Sequence, residues 1–367
     1  MAASTAILQQ QQRRSARLAR RDRDKDRDND PISNRIAEED DDDIEFKDPN
    51  YHDYLKFNYI FFQHPQKQLP DTVAAHVAQM ASTISKMPEL SPETVTKVIY
   101  GLNDLGLGCD ETQVGQYFKD FLFPKGDILG FLTRILLTQV DEQIARHLVP
   151  NNPAALSVVS QPRPNLLYGY PSTAFTSDQL ITLSNLHPQI NNYAKAATKL
   201  FLPFFAVEFK ATAGTGGSLW VAGNQCAGAS AACVQAVNQL NTRLGGAGYI
   251  RRIPNLCYSL ALDNNLALLY ISWGAVEEGG IYIQRVAYFM LSSLEEFTRL
   301  HQWVAAILDW GRRRLRGIKL GLDHIAQAAQ QKVVFSAAKS RPGPQGRPEG
   351  GPARKRRRLG GGHHQEL

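Results

Sequence analysis

The sequence predicts a mixed α/β fold (α+β mixed): a central mixed sheet flanked by helices, with an N-terminal helical region and disordered tails. Three observations predict it. Short apolar runs bounded by turn residues recur at 166–170, 204–210, 256–262, 266–272 and 281–289, as buried strands do. Stretches with helical spacing precede, separate and follow them, the interleaving of a layered sheet-and-helix domain. Residues 1–50 and 336–367 are dominated by charged, Gln, Pro and Gly residues and cannot bury enough apolar surface to offset the entropy of ordering.

In chain order, Gln9 to Gln12 lead into an Arg-rich segment, Arg13 to Arg21, followed by alternating charges and the acidic block Glu38 to Asp43. The Arg-rich part reads as a nuclear import signal, a nucleic-acid contact or simply a solvated tail. Residues 51–125 read as a helical region packed on the core. Asp71 to Ser85 has helical spacing, and Ser91-Pro92-Glu93 starts another helix with proline in its first turn. Within the third segment, residues 126–335, Asp127 to Leu148 reads as a long amphipathic, core-facing helix, with apolar residues Ile128, Leu129, Phe131, Leu132, Ile135, Leu136, Val140, Ile144 and Leu148. A helix is expected to start near Ser177. Leu219 to Leu244, rich in alanine, reads as a second, ended by Gly245-Gly246. Asp263-Asn264-Asn265 supplies hairpin turn chemistry between two strands. Leu294 to about Ala329 is expected to close the domain as one or two helices, and residues 336–367 form a basic tail.

Charge and cysteine usage narrow the function classes. The net charge of +6 is unevenly spread. Residues 1–50 hold ten Lys/Arg against thirteen Asp/Glu, and residues 336–367 hold eight against two, which leaves the body at only +3. The body thus carries no strong compositional sign of nucleic-acid binding. Cys109, Cys226, Cys233 and Cys257 form no C-x-x-C pair and have no histidine cluster, which argues against zinc and for a reducing compartment. No run of about 18 apolar residues suggests a membrane span.

The residues with most chemistry are Glu208-Phe209-Lys210, closing the run that starts at Phe201. Strand alternation puts Glu208 and Lys210 on one side and Val207 and Phe209 on the other. Charges there are costly unless they pair with each other or hold an ion. A strand-end salt bridge is one reading; a Glu-x-Lys catalytic pair is the other. Gly214 to Ser218 follows. It lacks the Lys-Ser/Thr ending of a phosphate loop and reads better as a tight strand-to-helix connection. Gln225, near the start of the next helix, can position substrate or bond the turn. Arg312, Arg313 and Arg316, with Arg314 and Lys319, form a basic helix face that meets phosphates or solvent. Arg354, Lys355, Arg356, Arg357 and Arg358 read as a nuclear localisation signal.

The order of these elements and motifs resembles the PD-(D/E)XK nuclease superfamily, the restriction-endonuclease-like fold. That family's core runs helix, three strands, helix, strand, with an acidic motif on the second strand and Glu-x-Lys on the third. Pro164-Asn165, before Leu166-Leu167-Tyr168, falls at the place of the acidic Pro-Asp motif, and Glu208-Phe209-Lys210 matches the second motif in full. The chain also resembles an uncharacterised fungal family assigned to this fold, through Leu167 to Tyr170, Val207 to Lys210 and Asn224 to Cys226. The resemblance covers residues 125–310.

It implies a Mg²⁺-dependent phosphodiesterase site, with Glu208 and residue 165 as metal ligands and Lys210 orienting water or stabilising charge. Asn165 departs from the family's aspartate. It offers a neutral carbonyl oxygen, so cleavage is expected to be weakened or lost. Asp178 or Asp263 can replace the missing acid only by folding back into the site. The expectation is therefore a nuclear, nucleic-acid-binding protein, DNA or RNA, carried by the import machinery through its basic tail. The alternatives are a cytoplasmic location and a non-catalytic interaction scaffold with a vestigial nuclease fold.

Overall fold

A computed structural model describes residues 46–87, 89–123, 136–155, 158–212, 218–275 and 279–339. The first elements are α1 (Tyr51–Phe57), β1 (Ile60–Gln63), α2 (Asp71–Ile84), α3 (Pro92–Gly106) and α4 (Glu111–Phe121). Local chemistry sets their starts. Ser91 accepts the Thr94 N–H at 3.2 Å, with Pro92 in the first helical position. Asp110 and Gln113 close a capping box at the head of α4.

Next come β2 (Leu137–Val140), β3 (Leu166–Pro171), α5 (Ser177–Ser184), β4 (Lys195–Ala197), β5 (Leu200–Phe209), α6 (Leu219–Gly246), β6 (Leu256–Leu262), β7 (Leu266–Gly274), β8 (Ile281–Met290) and α7 (Leu294–Lys339). Among the described residues, a mixed α/β layer fold is thus built on one sheet in the order β1-β8-β7-β6-β5-β3-β2, with β4 paired to β5. β5 and β6 run parallel, joined through α6, and β1 runs parallel to β8; the other pairs are antiparallel. Every residue of β5 is buried, which explains its unbroken apolar run.

The long helix expected over Asp127 to Leu148 is corrected. Residues 124–135 lie outside the described residues, but Leu137–Val140 form β2 and Arg146–Leu148 a single 3₁₀ turn. Ile144 and Leu148 are fully buried as expected, on irregular backbone rather than a helix. The β-rich stretch Leu137 to Val140 finds a free edge on β3, and strand pairing overrides the helical spacing. β1, likewise, is a strand inside a region read as helical.

α6 lies against β5, β6 and β7. Its small residues permit the approach. Ala222 and Cys226 pack on Ala261, the Ser272 hydroxyl meets that of Ser230 at 2.8 Å, and a Cβ on Gly223 would sit 3.4 Å from the Tyr270 hydroxyl. His52 on α1 meets Asn224 Oδ1 at 2.9 Å, and Asn224 Nδ2 donates to the Phe46 carbonyl, so the N-terminal elements are tied to α6. α7 is one helix of 46 residues, about 69 Å long, packed on α2, α5 and β8. Among the described residues, no helix is long and apolar enough to cross a membrane.

Candidate functional site

The site forms at the end of β5, where β2, β3 and the head of α4 converge. Glu208 is 1% exposed, and neither carboxylate oxygen has a hydrogen-bond partner. Burial raises its proton affinity well above the usual carboxylate range. Lys210 lowers it, Glu111 and Asp141 raise it, and the Asn165 peptide lowers it slightly without reaching hydrogen-bond geometry.

Lys210 does not close a pair with Glu208. Its ammonium donates to both oxygens of Glu111 on α4, at 3.1 and 3.2 Å. The lysine side chain is 6% exposed and that of Glu111 34%, so the pair leads from the sheet toward solvent.

Asn165 stands just before β3, where Leu166 faces Val207 of β5. Its Oδ1 accepts the Phe209 N–H at 2.7 Å and its Nδ2 donates to Asp141 Oδ1 at 3.1 Å. The oxygen offered to an ion in the sequence-based reading is thus spent on the backbone. Asp141 follows β2 in a left-handed conformation, φ 49°, which aspartate tolerates better than most residues. Arg163 Nε holds its carbonyl at 2.6 Å.

Two acids of this site, Asp141 and Glu111, escape the sequence reading. Asp141 was hidden inside the expected helix, and Glu111 in a region read only as packing. The capping box around Asp110 fixes where Glu111 must stand, but no local signal points it at Lys210. The other acids considered do not supply the charge: Asp263 accepts the Asn265 and Leu266 N–H groups within the β6–β7 turn, and Asp178 sits in the first turn of α5 behind the Thr176 cap.

On the α6 side, burial and the neighbouring Glu208 push the Cys226 thiol up, and Ser259 lies beside it. Gln225 is the preceding residue, and its buried Oε1 has no partner. The Gly214 loop lies outside the described residues, apart from Ser218. The basic helix face is partly spent within α7: Asp309 pairs with Arg312 at 2.8 Å and with Arg313 at 3.0 Å, Lys319 donates to the Ala174 carbonyl, and Arg316 is exposed. Arg354 to Arg358 lie outside the described residues.

The donor chemistry fits a hard cation in a limited sense. Glu208 has two oxygens that folding leaves unsatisfied, and Mg²⁺ is commonly held by one or two carboxylates with its waters retained. Among the described residues, no group of three or more His, Cys, Asp or Glu converges as an all-protein cage would.

Fold and site together define a mixed α/β protein with a buried carboxylate and lysine at the end of a central strand, open to solvent through two further acids. The chain matches the domain of unknown function DUF7924 over residues 105–319, more than half its length, and belongs to that family. The match spans Glu111, Asp141, Asn165, Glu208 and Lys210. No curated protein matches the chain.

Proposed function

We propose that this is a nuclear, nucleic-acid-binding protein of PD-(D/E)XK type, whose Glu208–Lys210 site supports a weak Mg²⁺-dependent phosphodiester hydrolysis. The observation that carries the reading is the Glu208 carboxylate, buried beside Lys210 with both oxygens unpartnered. Setting aside α5 and β4, which intervene between β3 and β5, the order β2, β3, β5, α6, β6 supports it, being three strands, a helix and a strand with Glu-x-Lys at the end of the third strand.

Glu208 and Asp141 are the residues that would hold Mg²⁺. A bound Mg²⁺ supplies charge neutralisation on the phosphate and orientation of water. Glu208 must first give up its proton, which ties ion binding to pH. Lys210, kept in place by Glu111, presents an ammonium for developing phosphate charge. Asn165 sets the spacing by bridging β5 and Asp141. The exposed basic residue Arg316 supplies a phosphate contact outside the site, and Arg354 to Arg358 direct import.

The test is cleavage of labelled DNA and RNA, single- and double-stranded, with Mg²⁺ or Mn²⁺. Glu208→Gln and Lys210→Ala are each expected to lower the rate by at least about 100-fold, as loss of a group acting on the transition state does. Asn165→Asp should lower the metal concentration needed. Cleavage untouched by both Glu208→Gln and Lys210→Ala would assign the activity elsewhere.

A second reading has its own observation. The Asn165 oxygen is committed to the Phe209 N–H, and no three-acid group forms among the described residues. A non-catalytic interaction scaffold on this fold follows from those facts. It predicts no cleavage with either metal, including by Asn165→Asp.

A further inference from the structure

Arg314 on α7 is 6% exposed, and none of its three guanidinium nitrogens has a hydrogen-bond partner. A guanidinium keeps its charge at any pH at which proteins fold, so it cannot escape burial by losing a proton. Removing such a cation from water without a counter-charge is costly to a fold. Trp310, one helical turn back, holds its ring 5.3 Å from the guanidinium and offsets part of that loss. The ring face accepts none of the in-plane donors at the edge of the fork.

The acids on this part of α7 are engaged. Asp309 accepts from Arg312 and Arg313, and Asp323 accepts from Gln179 at 2.8 Å. Other polar atoms near Arg314 are left over in the same way. His76 Nε2 on α2 and the Tyr258 hydroxyl on β6 are buried without partners. The His76 ring lies 5.1 Å from Trp310 and 5.9 Å from Tyr258, and Tyr258 lies 5.7 Å from Trp310. Burial, together with Arg313 and Arg314, holds the His76 imidazole down at about 4, so it is neutral. The Tyr170 hydroxyl, beside Arg314, already donates to the Gly311 carbonyl at 2.8 Å.

Three elements therefore bring together a fixed positive charge, an imidazole nitrogen and a phenol, none of which closes a hydrogen bond among the described residues. Their complement is a group with several acceptor oxygens and a negative charge. We infer that Arg314, His76 and Tyr258 form a binding site for a small oxyanion, a phosphate or a carboxylate, between α2, β6 and α7. Tyr258 and Ala261 are three residues apart on β6 and so face opposite sides of the sheet. Ala261 is the register partner of Glu208, so this site is distinct from the one at the end of β5.

The experiment follows thermal unfolding of the full chain in sodium phosphate, in sodium acetate and in sodium chloride at matched ionic strength. Excluded anions stabilise many proteins without a site, so the decisive features are saturation and dependence on Arg314. Phosphate or acetate should raise Tm saturably over chloride, and the anion that does so assigns the ligand class. Arg314→Met should abolish the saturable part while being no less stable than wild type in chloride, since it removes an uncompensated buried charge. Tyr258→Phe and His76→Phe should each weaken the ion about tenfold, as loss of one hydrogen bond to a charged group does. These two variants decide the matter if Arg314→Met does not fold. Equal shifts in all three salts, a saturable shift that survives Arg314→Met, or a saturation midpoint that Tyr258→Phe and His76→Phe leave unchanged would overturn the inference and leave buried water as the partner of these groups.

Discussion

Glu208 enters the sheet with neither carboxylate oxygen hydrogen-bonded, and burial is the largest of the influences on its proton. The sign of the consequence is fixed by linkage. Its folded pKa lies above the ordinary 4.5, so the native state holds the proton to higher pH than the unfolded chain does. Its favourable contribution is complete below the unfolded value and is lost as pH rises through the folded one. Without divalent ions, wild-type stability is therefore expected to decline with rising pH across that window. Glu208→Gln keeps the shape and cannot ionise, so its decline should be flatter, and at the alkaline end it should exceed wild type by about 1–3 kcal/mol, the cost of a buried polar group without a partner. Urea midpoints in EDTA from about pH 5 to about pH 8 measure both curves; parallel curves would show that Glu208 does not titrate there. Glu208 and Lys210 were legible because strand alternation is local and their cost of burial is large. Asp141 and Glu111 were not, since each reaches the site only through tertiary pairing, one by β2 joining β3 and the other by α4 docking on β5.

The strands that build the site carry one marked irregularity. The β3–β5 register breaks between Tyr168 and Tyr170, Leu202 takes a left-handed φ of 45°, and Pro203 falls in the gap where no β3 residue pairs with it. A proline is tolerated in a central strand at such a break because no ladder hydrogen bond is asked of its nitrogen. Gly169 is what lets the strands close over it: an added Cβ would sit 2.8 Å from Leu200 Cγ and 2.9 Å from the Phe201 carbonyl oxygen. A backbone oxygen cannot swing aside as a side-chain end can. Gly169→Ala is therefore expected to cost about 1–3 kcal/mol by overpacking, seen as a lower urea midpoint. An unchanged midpoint would mean that β3 shifts freely on β5. β5, α6 and the strands from β6 to β8 were readable because apolar runs, turn residues and the Gly-Gly stop agree there. β2 was not, because Leu137 to Val140 is too short to show a period of its own, and its neighbours mimic a helix. The bulge was invisible, although Gly169 and Pro203 are both plain in the sequence, because it exists only between two strands.

At the scale of the whole molecule, charge decides how nucleic acid would be held. The body carries a net +3, and much of its apparent basic face is internally spent: Arg312 and Arg313 share Asp309, and Lys319 is bonded to a carbonyl. Residues 336–367 carry +6, five of those charges in the run Arg354 to Arg358. Each phosphate neutralised on duplex DNA contributes about −0.9 to the slope of log affinity against log salt. Replacing Arg354, Lys355, Arg356, Arg357 and Arg358 by Gln in the full chain is therefore expected to flatten that slope by about four to five, while Arg316→Gln should change it by no more than about one. Fluorescence anisotropy of a labelled duplex across a salt series reads both. If the five-residue variant keeps its slope, the contacts lie on the body, and the exposed face of α7 around Arg316 becomes the surface to test. If it loses the slope but the Glu208 site still cleaves at low salt, binding and chemistry are carried by different parts of the chain. The tail then concentrates the substrate, and the mixed sheet, with a net charge too small to do so, supplies only the reacting groups.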